Sequence, residues 1–153
     1  MDLILWRHAQ AVDVSAYVDD LRRPLTAVGE QQAKQMASWL KKHLPANTRV
    51  CTSPALRTRQ TVQRLTAEGY EVVEALAPPR SVDDLLQACG WPHAKTPVLV
   101  VGHQPTLGAV VQRLLGMDVE CAVKKGAVWW LQQRVREGRE QVILRTVQVP
   151  KLL

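Results

Sequence analysis

Two kinds of hydrophobic spacing alternate along most of this chain. Short, continuously apolar runs cover residues 3–6 and 98–101, and each is bounded by charged residues or by proline and glycine. Such runs are typical of parallel strands that are buried on both faces. Residues 49–52 form a weaker run of the same kind, and residues 71–73 form a fourth. The pattern therefore predicts up to four strands of one largely parallel sheet.

Helical spacing fills the segments between these runs. An apolar stripe over residues 33–44 indicates a helix with Thr26 as its N-cap. Ser53 followed by Pro54 predicts the cap and the first residue of a second helix. Ser81 is placed to cap a short third helix.

The last third of the chain changes its period. A fourth helical stripe covers residues 107–114 and is expected to end at Gly116. Beyond it the pattern becomes strand-like over residues 127–135 and 141–149, with a turn signal at Gly138 between them. These two segments are expected to form a hairpin that ends the fold.

The order of these elements predicts an α/β fold, a three-layer sandwich with a mostly parallel central sheet and helices on both faces. The chain has 153 residues, of which 46% are hydrophobic and 22% are charged, so residues 1–153 are expected to form one domain. No apolar stretch approaches the roughly 18 residues of a membrane span, and the N-terminal segment does not read as a signal peptide. A cytoplasmic location is therefore expected.

Net charge and cysteine content exclude few classes of ligand or site. The formal net charge of +6 is compatible with nucleic acid, a membrane surface or an anionic substrate. The basic residues are dispersed and are not interleaved with aromatics, which argues against nucleic acid. The three cysteines lack metal-binding or redox spacing, so buried reduced thiols are expected.

Polar side chains with related chemistry follow three of the predicted strands. Arg7 and His8 come directly after the first strand, and His103 follows the strand at 98–101. Arg57 lies in the first turn of the helix that follows residues 49–52. Because the carboxyl ends of parallel strands lie at one edge of the sheet, we expect these four side chains to share a cleft.

Two arginines and two histidines in one cleft suit a phosphoryl group. A guanidinium binds phosphate oxygens through two hydrogen bonds and stays charged at neutral pH. Histidine is a competent nucleophile and proton carrier near neutral pH. His43 and His93, which lie near a helix end and in a loop, are not expected to take part.

Four segments of the sequence resemble the motifs of a known family. Residues 5–9 (LWRHA), 53–61 (SPALRTRQT) and 101–105 (VGHQP) are similar, in order and spacing, to the three motifs of the histidine phosphatase superfamily. Residues 22–29 (RRPLTAVG) resemble the segment that precedes the first helix in its short bacterial branch, the SixA-type phosphohistidine phosphatases. The resemblance covers nearly the whole chain.

This resemblance implies a role for each of the four residues. His8 is expected to be the nucleophile that carries the phosphoryl group as a phosphohistidine. Arg7, Arg57 and His103 are expected to bind the phosphate oxygens, so that phosphate or sulfate should occupy the pocket. No metal and no cofactor are implied, because these side chains supply the positive charge that a metal would bring.

The sequence departs from the family pattern in two places. Ala9 stands where the superfamily signature has glycine, which requires a backbone without positive φ there. The phosphomonoesterase branches also carry a glutamate as general acid, in a segment that this chain lacks. Four nearby carboxylates stand in no matching motif: Glu71, Glu74, Asp83 and Asp84.

A missing acid affects P–O and P–N cleavage differently. An alkoxide leaves poorly without an acid, whereas an imidazole can be protonated from water. The resemblance and the absence of a matching general acid together predict a phosphohistidine phosphatase. Its expected substrate is a histidine-phosphorylated domain of a partner protein, and no nucleic acid or membrane partner is expected. Two alternatives are a phosphomonoesterase for small soluble esters and a non-catalytic module that binds phosphate or nucleic acid.

Overall fold

A computed structural model describes residues 1–16 and 19–153 of the chain. In this part of the chain it contains six strands and four α-helices. The strands are β1 (Asp2–Arg7), β2 (Arg49–Thr52), β3 (Glu71–Val72), β4 (Val98–Gly102), β5 (Val128–Arg136) and β6 (Arg139–Gln148). The helices are α1 (Ala27–His43), α2 (Leu56–Gln63), α3 (Val82–Cys89) and α4 (Thr106–Leu115). None of these helices is long and apolar enough to cross a membrane.

All six strands belong to one sheet with the order β3-β2-β4-β1-β5-β6. Strands β3, β2, β4 and β1 pair in parallel. Strand β5 runs antiparallel to β1, and β6 runs antiparallel to β5. The predicted α/β class is confirmed. The sheet is parallel across its first four strands and mixed as a whole, because the terminal hairpin joins it beside β1.

The alternating side chains of β1 divide the core into two halves. Leu3 and Leu5 pack on one face of the sheet together with apolar residues of α3 and α4. Ile4 and Trp6 pack on the other face against α1 and α2. All four side chains are completely buried. This arrangement gives the predicted three layers, with two helices on each face of the sheet.

Most of the predicted helix ends are confirmed, and one is wrong. Thr26 caps α1 by accepting the N–H of Gly29 at 3.0 Å, and Ser81 forms a reciprocal capping box with Asp84 at the start of α3. Helix α2 begins only at Leu56, after Ala55, which makes no side-chain cap. The hydroxyl of Ser53 is instead used within the cleft.

Two glycines permit close approaches near the sheet. Gly108 lies where α4 meets the chain that leads into β5, and a Cβ there would overlap with the carbonyl oxygen of Cys121. Gly126 has a positive φ of 73° and packs against Pro150. A side chain at either position would therefore push these packed segments apart.

Candidate functional site

The four predicted side chains lie together at the carboxyl edge of the parallel strands. Arg7, His8, Arg57 and His103 all line one pocket of about 610 Å³. His8, Arg57 and His103 are buried within the fold, with exposed fractions of 7%, 3% and 3%. The predicted convergence is what the structure shows, whereas the catalytic role of each residue stays a prediction.

His8 is fixed by hydrogen bonds on both sides of its backbone. Its N–H donates to the carbonyl of Gly102 at 3.1 Å, and its carbonyl accepts the N–H of Gly126 at 3.1 Å. The ring atom Nδ1 lies 2.7 Å from the carbonyl oxygen of Ala9. A neutral ring that donates from Nδ1 to this carbonyl keeps the lone pair on Nε2.

Burial keeps this ring neutral. It lowers the pKa of His8 from 6.5 to about 3, and the positive charges of Arg57 and Arg7 act in the same direction against the opposing hydrogen bond to Ala9. At neutral pH the imidazole is therefore unprotonated, which is the state that a nucleophile requires.

His103 is oriented by Ser53. Its Nε2 lies 2.8 Å from the hydroxyl oxygen of Ser53. That oxygen also accepts the N–H of Ala55 at 3.2 Å, and its own hydroxyl proton can be donated to Nε2. The remaining proton of the neutral ring then lies on Nδ1, as a donor. Burial and the neighbouring His8 lower the pKa of His103 to about 2, so this ring too is neutral at pH 7.

Each arginine uses part of its guanidinium to hold the fold. Arg7 donates from Nη1 to the carbonyl of Val123 at 2.9 Å. Arg57 donates from Nη1 and Nη2 to the backbone carbonyl and the carboxylate of Asp20, at 2.8 Å and 2.9 Å. Burial lowers the pKa of both arginines, but a guanidinium remains protonated at neutral pH.

Three buried nitrogen atoms in the pocket side chains have no acceptor in the protein. They are Nε of Arg7, Nε of Arg57 and Nδ1 of His103, and they are the complete set of such side-chain atoms in the described part of the chain. Buried donors are nearly always hydrogen bonded in native proteins. Their concentration in one pocket therefore indicates a site for a group with several acceptor oxygens.

Two further residues, Asp20 and Arg23, were not predicted as site residues, although Arg23 lies in the segment that resembles the family pattern. The carboxylate of Asp20 bridges the two arginines, because it accepts from Nε of Arg23 at 2.8 Å as well as from Arg57. Burial opposes ionisation of Asp20, but the hydrogen bonds from Arg23 and Arg57 lower its pKa. Arg23 also donates to the carbonyl of Val12 at 2.6 Å and lines the pocket. The spacing of Asp20 and Arg23 was the available signal, but it does not reveal the contact with Arg57.

The four carboxylates that the sequence offered as possible general acids lie away from the pocket. Glu71 accepts from Arg49 at 2.8 Å, and Asp84 serves the capping box of α3. Neither they nor Glu74 and Asp83 line the pocket, whereas Asp13 does. Hydrogen bonds from Ser15 lower the pKa of Asp13, so this carboxylate is ionised at neutral pH. Among the residues described, no cluster of three His, Cys, Asp or Glu side chains could hold a metal ion.

Alanine in place of the signature glycine fits the backbone. Outside glycine, positive φ occurs in the described residues only at Glu137, so Ala9 is unstrained. Its methyl group is completely buried and packs with Leu25 and Ala33. It therefore contributes to the packing beneath the pocket rather than filling the pocket.

Known proteins are similar to this chain in sequence and in fold. Residues 3–77 match the family model of the histidine phosphatase superfamily (branch 1). Phosphohistidine phosphatase SixA of Escherichia coli (strain K12) is 34% identical, with 74% of this chain and 74% of the relative covered. The phosphohistidine phosphatase SixA homolog of Haemophilus influenzae is 30% identical, with 76% and 78% covered. The solved structure of the protein histidine phosphatase SixA complexed with tungstate matches with a TM-score of 0.77 and 26% identity over 99% of both chains. This chain therefore belongs to the histidine phosphatase superfamily, as a phosphatase of the SixA type.

Proposed function

We propose that this protein hydrolyses a phosphorylated histidine on a partner protein, through a phosphohistidine intermediate at His8. The observation that carries the proposal is the set of three unpartnered nitrogen atoms, on Arg7, Arg57 and His103, in the pocket that His8 lines. A phosphoryl group offers the several oxygen acceptors that these donors need. The tungstate bound to a relative is likewise a tetrahedral oxyanion, which supports this choice.

In the first step, the lone pair on Nε2 of His8 attacks the phosphorus atom of the substrate. A new P–N bond forms while the bond to the substrate imidazole breaks, and the departing nitrogen takes a proton from water. The transferring group carries negative charge on its oxygens throughout. Arg7 and Arg57 neutralise that charge, and Nδ1 of His103 donates a further hydrogen bond.

In the second step, a water molecule attacks the phosphorus atom of phosphorylated His8. The P–N bond to Nε2 breaks, inorganic phosphate leaves, and the lone pair returns to His8. The hydrogen bond from Nδ1 to Ala9 holds the ring in the same tautomer in both steps. The low pKa of His8 means that the ring is ready for the next attack at neutral pH.

The carboxylates around the pocket favour a phosphorylated histidine over a phosphate ester. Asp13 lines the pocket, but its lowered pKa makes it a poor proton donor at pH 7. An alkoxide that leaves without an acid loses an acceleration of roughly 10²–10⁴-fold. An imidazole has a pKa of about 6.5, so its protonation from the solvent near pH 7 needs no dedicated acid. The site therefore suits cleavage of a P–N bond.

The test is a comparison of leaving groups with the purified protein in the presence of a chelator. The substrates are a phosphohistidine peptide, the same peptide with phosphoserine, and a simple alkyl phosphate at pH 7. We expect kcat/KM for the phosphohistidine peptide to exceed the other two by about 10²-fold or more. Faster cleavage of the phosphoserine peptide or the alkyl phosphate would contradict the proposal and favour a phosphomonoesterase.

A further inference from the structure

A second groove, of about 770 Å³, adjoins the catalytic pocket. The two share Arg7 and Lys125 in their linings, so they form one continuous surface. Lysines at positions 124, 125 and 151 border the second groove, and its apolar part consists of Val149, Pro150 and Leu152. We refer to it as the lysine groove.

The wall that carries Lys124 and Lys125 is fastened to the catalytic strand. Arg7 holds this segment at two points, because its side chain donates to the carbonyl of Val123 and its backbone N–H donates to the carbonyl of Ala127 at 3.0 Å. The N–H of Gly126 donates to the carbonyl of His8. The two lysines are thus held at a fixed distance from the proposed nucleophile, on a backbone that does not need to be ordered by a partner.

The charge of the lysine groove is of one sign. Its lining includes four cationic side chains and, among the described residues, no carboxylate. Among the described residues, none of the three lysines forms an ion pair, because every ion pair there uses an arginine. Lysines that form no ion pair, beside an anion-binding pocket, favour an anionic ligand that extends beyond the phosphoryl group.

We propose that the lysine groove binds an acidic segment of the partner protein, next to its phosphorylated histidine. This inference rests on the proposed function and adds the chemistry of the substrate around the phosphoryl group. Glutamate and aspartate side chains pair with Lys124, Lys125 and Lys151, while apolar side chains of the same segment pack on Val149 and Leu152. A nucleic acid is a poorer match, because no aromatic side chain in the described lining offers a stacking surface for bases.

The test uses two phosphohistidine peptides of equal length, with glutamates around the histidine in one and glutamines at the same positions in the other. Free phosphohistidine serves as a substrate too small to reach the groove. The double variant Lys124→Gln, Lys151→Gln changes the groove without touching the catalytic pocket. Lys95→Gln is the matched control, because Lys95 is an exposed lysine near the amino end of β4, at the opposite edge of the sheet.

For the wild type we expect the KM for the acidic peptide to be lower than that for the neutral peptide by about fivefold or more. Two exposed ion pairs together contribute a binding free energy of this size. High salt should abolish this difference. The double variant should lose the preference and keep its kcat and KM on free phosphohistidine, and Lys95→Gln should behave as the wild type. Equal KM values for the two peptides in the wild type, or an unchanged preference in the double variant, would overturn the inference.

The inference and the proposed function fail in different ways. If the wild type hydrolyses no phosphohistidine, the proposed function is wrong, and fluorescence anisotropy with the unphosphorylated peptides then tests the groove directly. If the wild type binds the acidic peptide more tightly than the neutral peptide, and the double variant does not, an acidic partner is still supported. Tighter binding of a single-stranded oligonucleotide than of the acidic peptide would overturn it.

Discussion

Arg57→Lys keeps the positive charge of the pocket and removes its planar geometry. In the wild type, Arg57 uses one N–H on each Nη atom to hold Asp20. Its Nε–H and the second N–H of Nη2 form the adjacent edge, which can bind two oxygens of one phosphoryl group. A lysine amine presents all its protons from a single atom and cannot serve Asp20 and both oxygens together.

The size of the effect follows from this geometry. A hydrogen bond to a charged group contributes about 1.5–3 kcal/mol, and lysine retains one of the two bonds to the phosphoryl group. Losing one such bond in the transition state should lower kcat/KM roughly 10- to 100-fold, since about 1.4 kcal/mol corresponds to a factor of ten.

The assay compares kcat/KM of the wild type, Arg57→Lys and Arg59→Lys on the same phosphorylated substrate. Arg59 is the matched control because it is exposed and lies two residues further along α2. Thermal unfolding shows whether each variant keeps its fold. If kcat/KM of Arg57→Lys stays within about threefold of that of the control, two hydrogen bonds from the Arg57 guanidinium do not hold the transferring group, and the reasoning is refuted.

Four further results are expected. His8→Ala should lose turnover and the phosphoenzyme that rapid alkaline denaturation traps from labelled substrate, while its circular dichroism spectrum stays that of the wild type; a persisting phosphoenzyme would place the nucleophile elsewhere. Burial lowers the pKa values of His8 and His103 to about 3 and about 2 from 6.5, so the unfolded state binds more protons below pH 6.5. In urea titrations without phosphate, the free energy of unfolding should therefore fall as the pH drops from about 6.5 towards 3. Each of the two histidines should lower the folding constant by up to roughly tenfold per pH unit. The variant His8→Ala should make this pH dependence shallower, whereas His93→Ala should not. Asp13→Asn should change kcat on a phosphohistidine peptide by less than about tenfold, and a larger loss would identify Asp13 as an acid. Gly108→Ala should lower the free energy of unfolding by about 2–3 kcal/mol, measured by thermal or chemical denaturation, because its methyl group overlaps with a backbone carbonyl.

Those parts of the fold that follow from periodicity were predictable from the sequence. The runs at residues 3–6 and 98–101 are strands because no polar side chain interrupts them, and their parallel pairing brings Arg7, His8 and His103 to one edge. The start of α2 was not predictable in the same way. Ser53 has the sequence signature of a cap, but its hydroxyl lies 2.8 Å from a histidine fifty residues away.

The residues around Asp20, before α1, show more clearly what hydrophobic periodicity does not predict. These residues have no hydrophobic period, and their local hydrogen bonds, such as that from Arg23 to Asp20, do not predict the contact with Arg57. Asp20 reaches Arg57 across 37 residues of sequence, and this long-range contact decides which edge of the guanidinium remains free. The four core residues of the site were thus predicted, whereas the residues that orient them were not.

The position of His8 at the end of a strand flanked by β4 and β5 has a consequence for how this site can diversify. The peptide group of His8 is hydrogen bonded on both sides, to Gly102 and Gly126, and its amide should be among the slowest to exchange with deuterium. Asp13 and Val14 instead come from residues 11–16, which make none of those bonds. We therefore expect substitutions in that segment to change the substrate preference while the hydrogen bonds that fix His8 stay in place. A library randomised there is the natural starting point for redirecting this phosphatase to a new substrate.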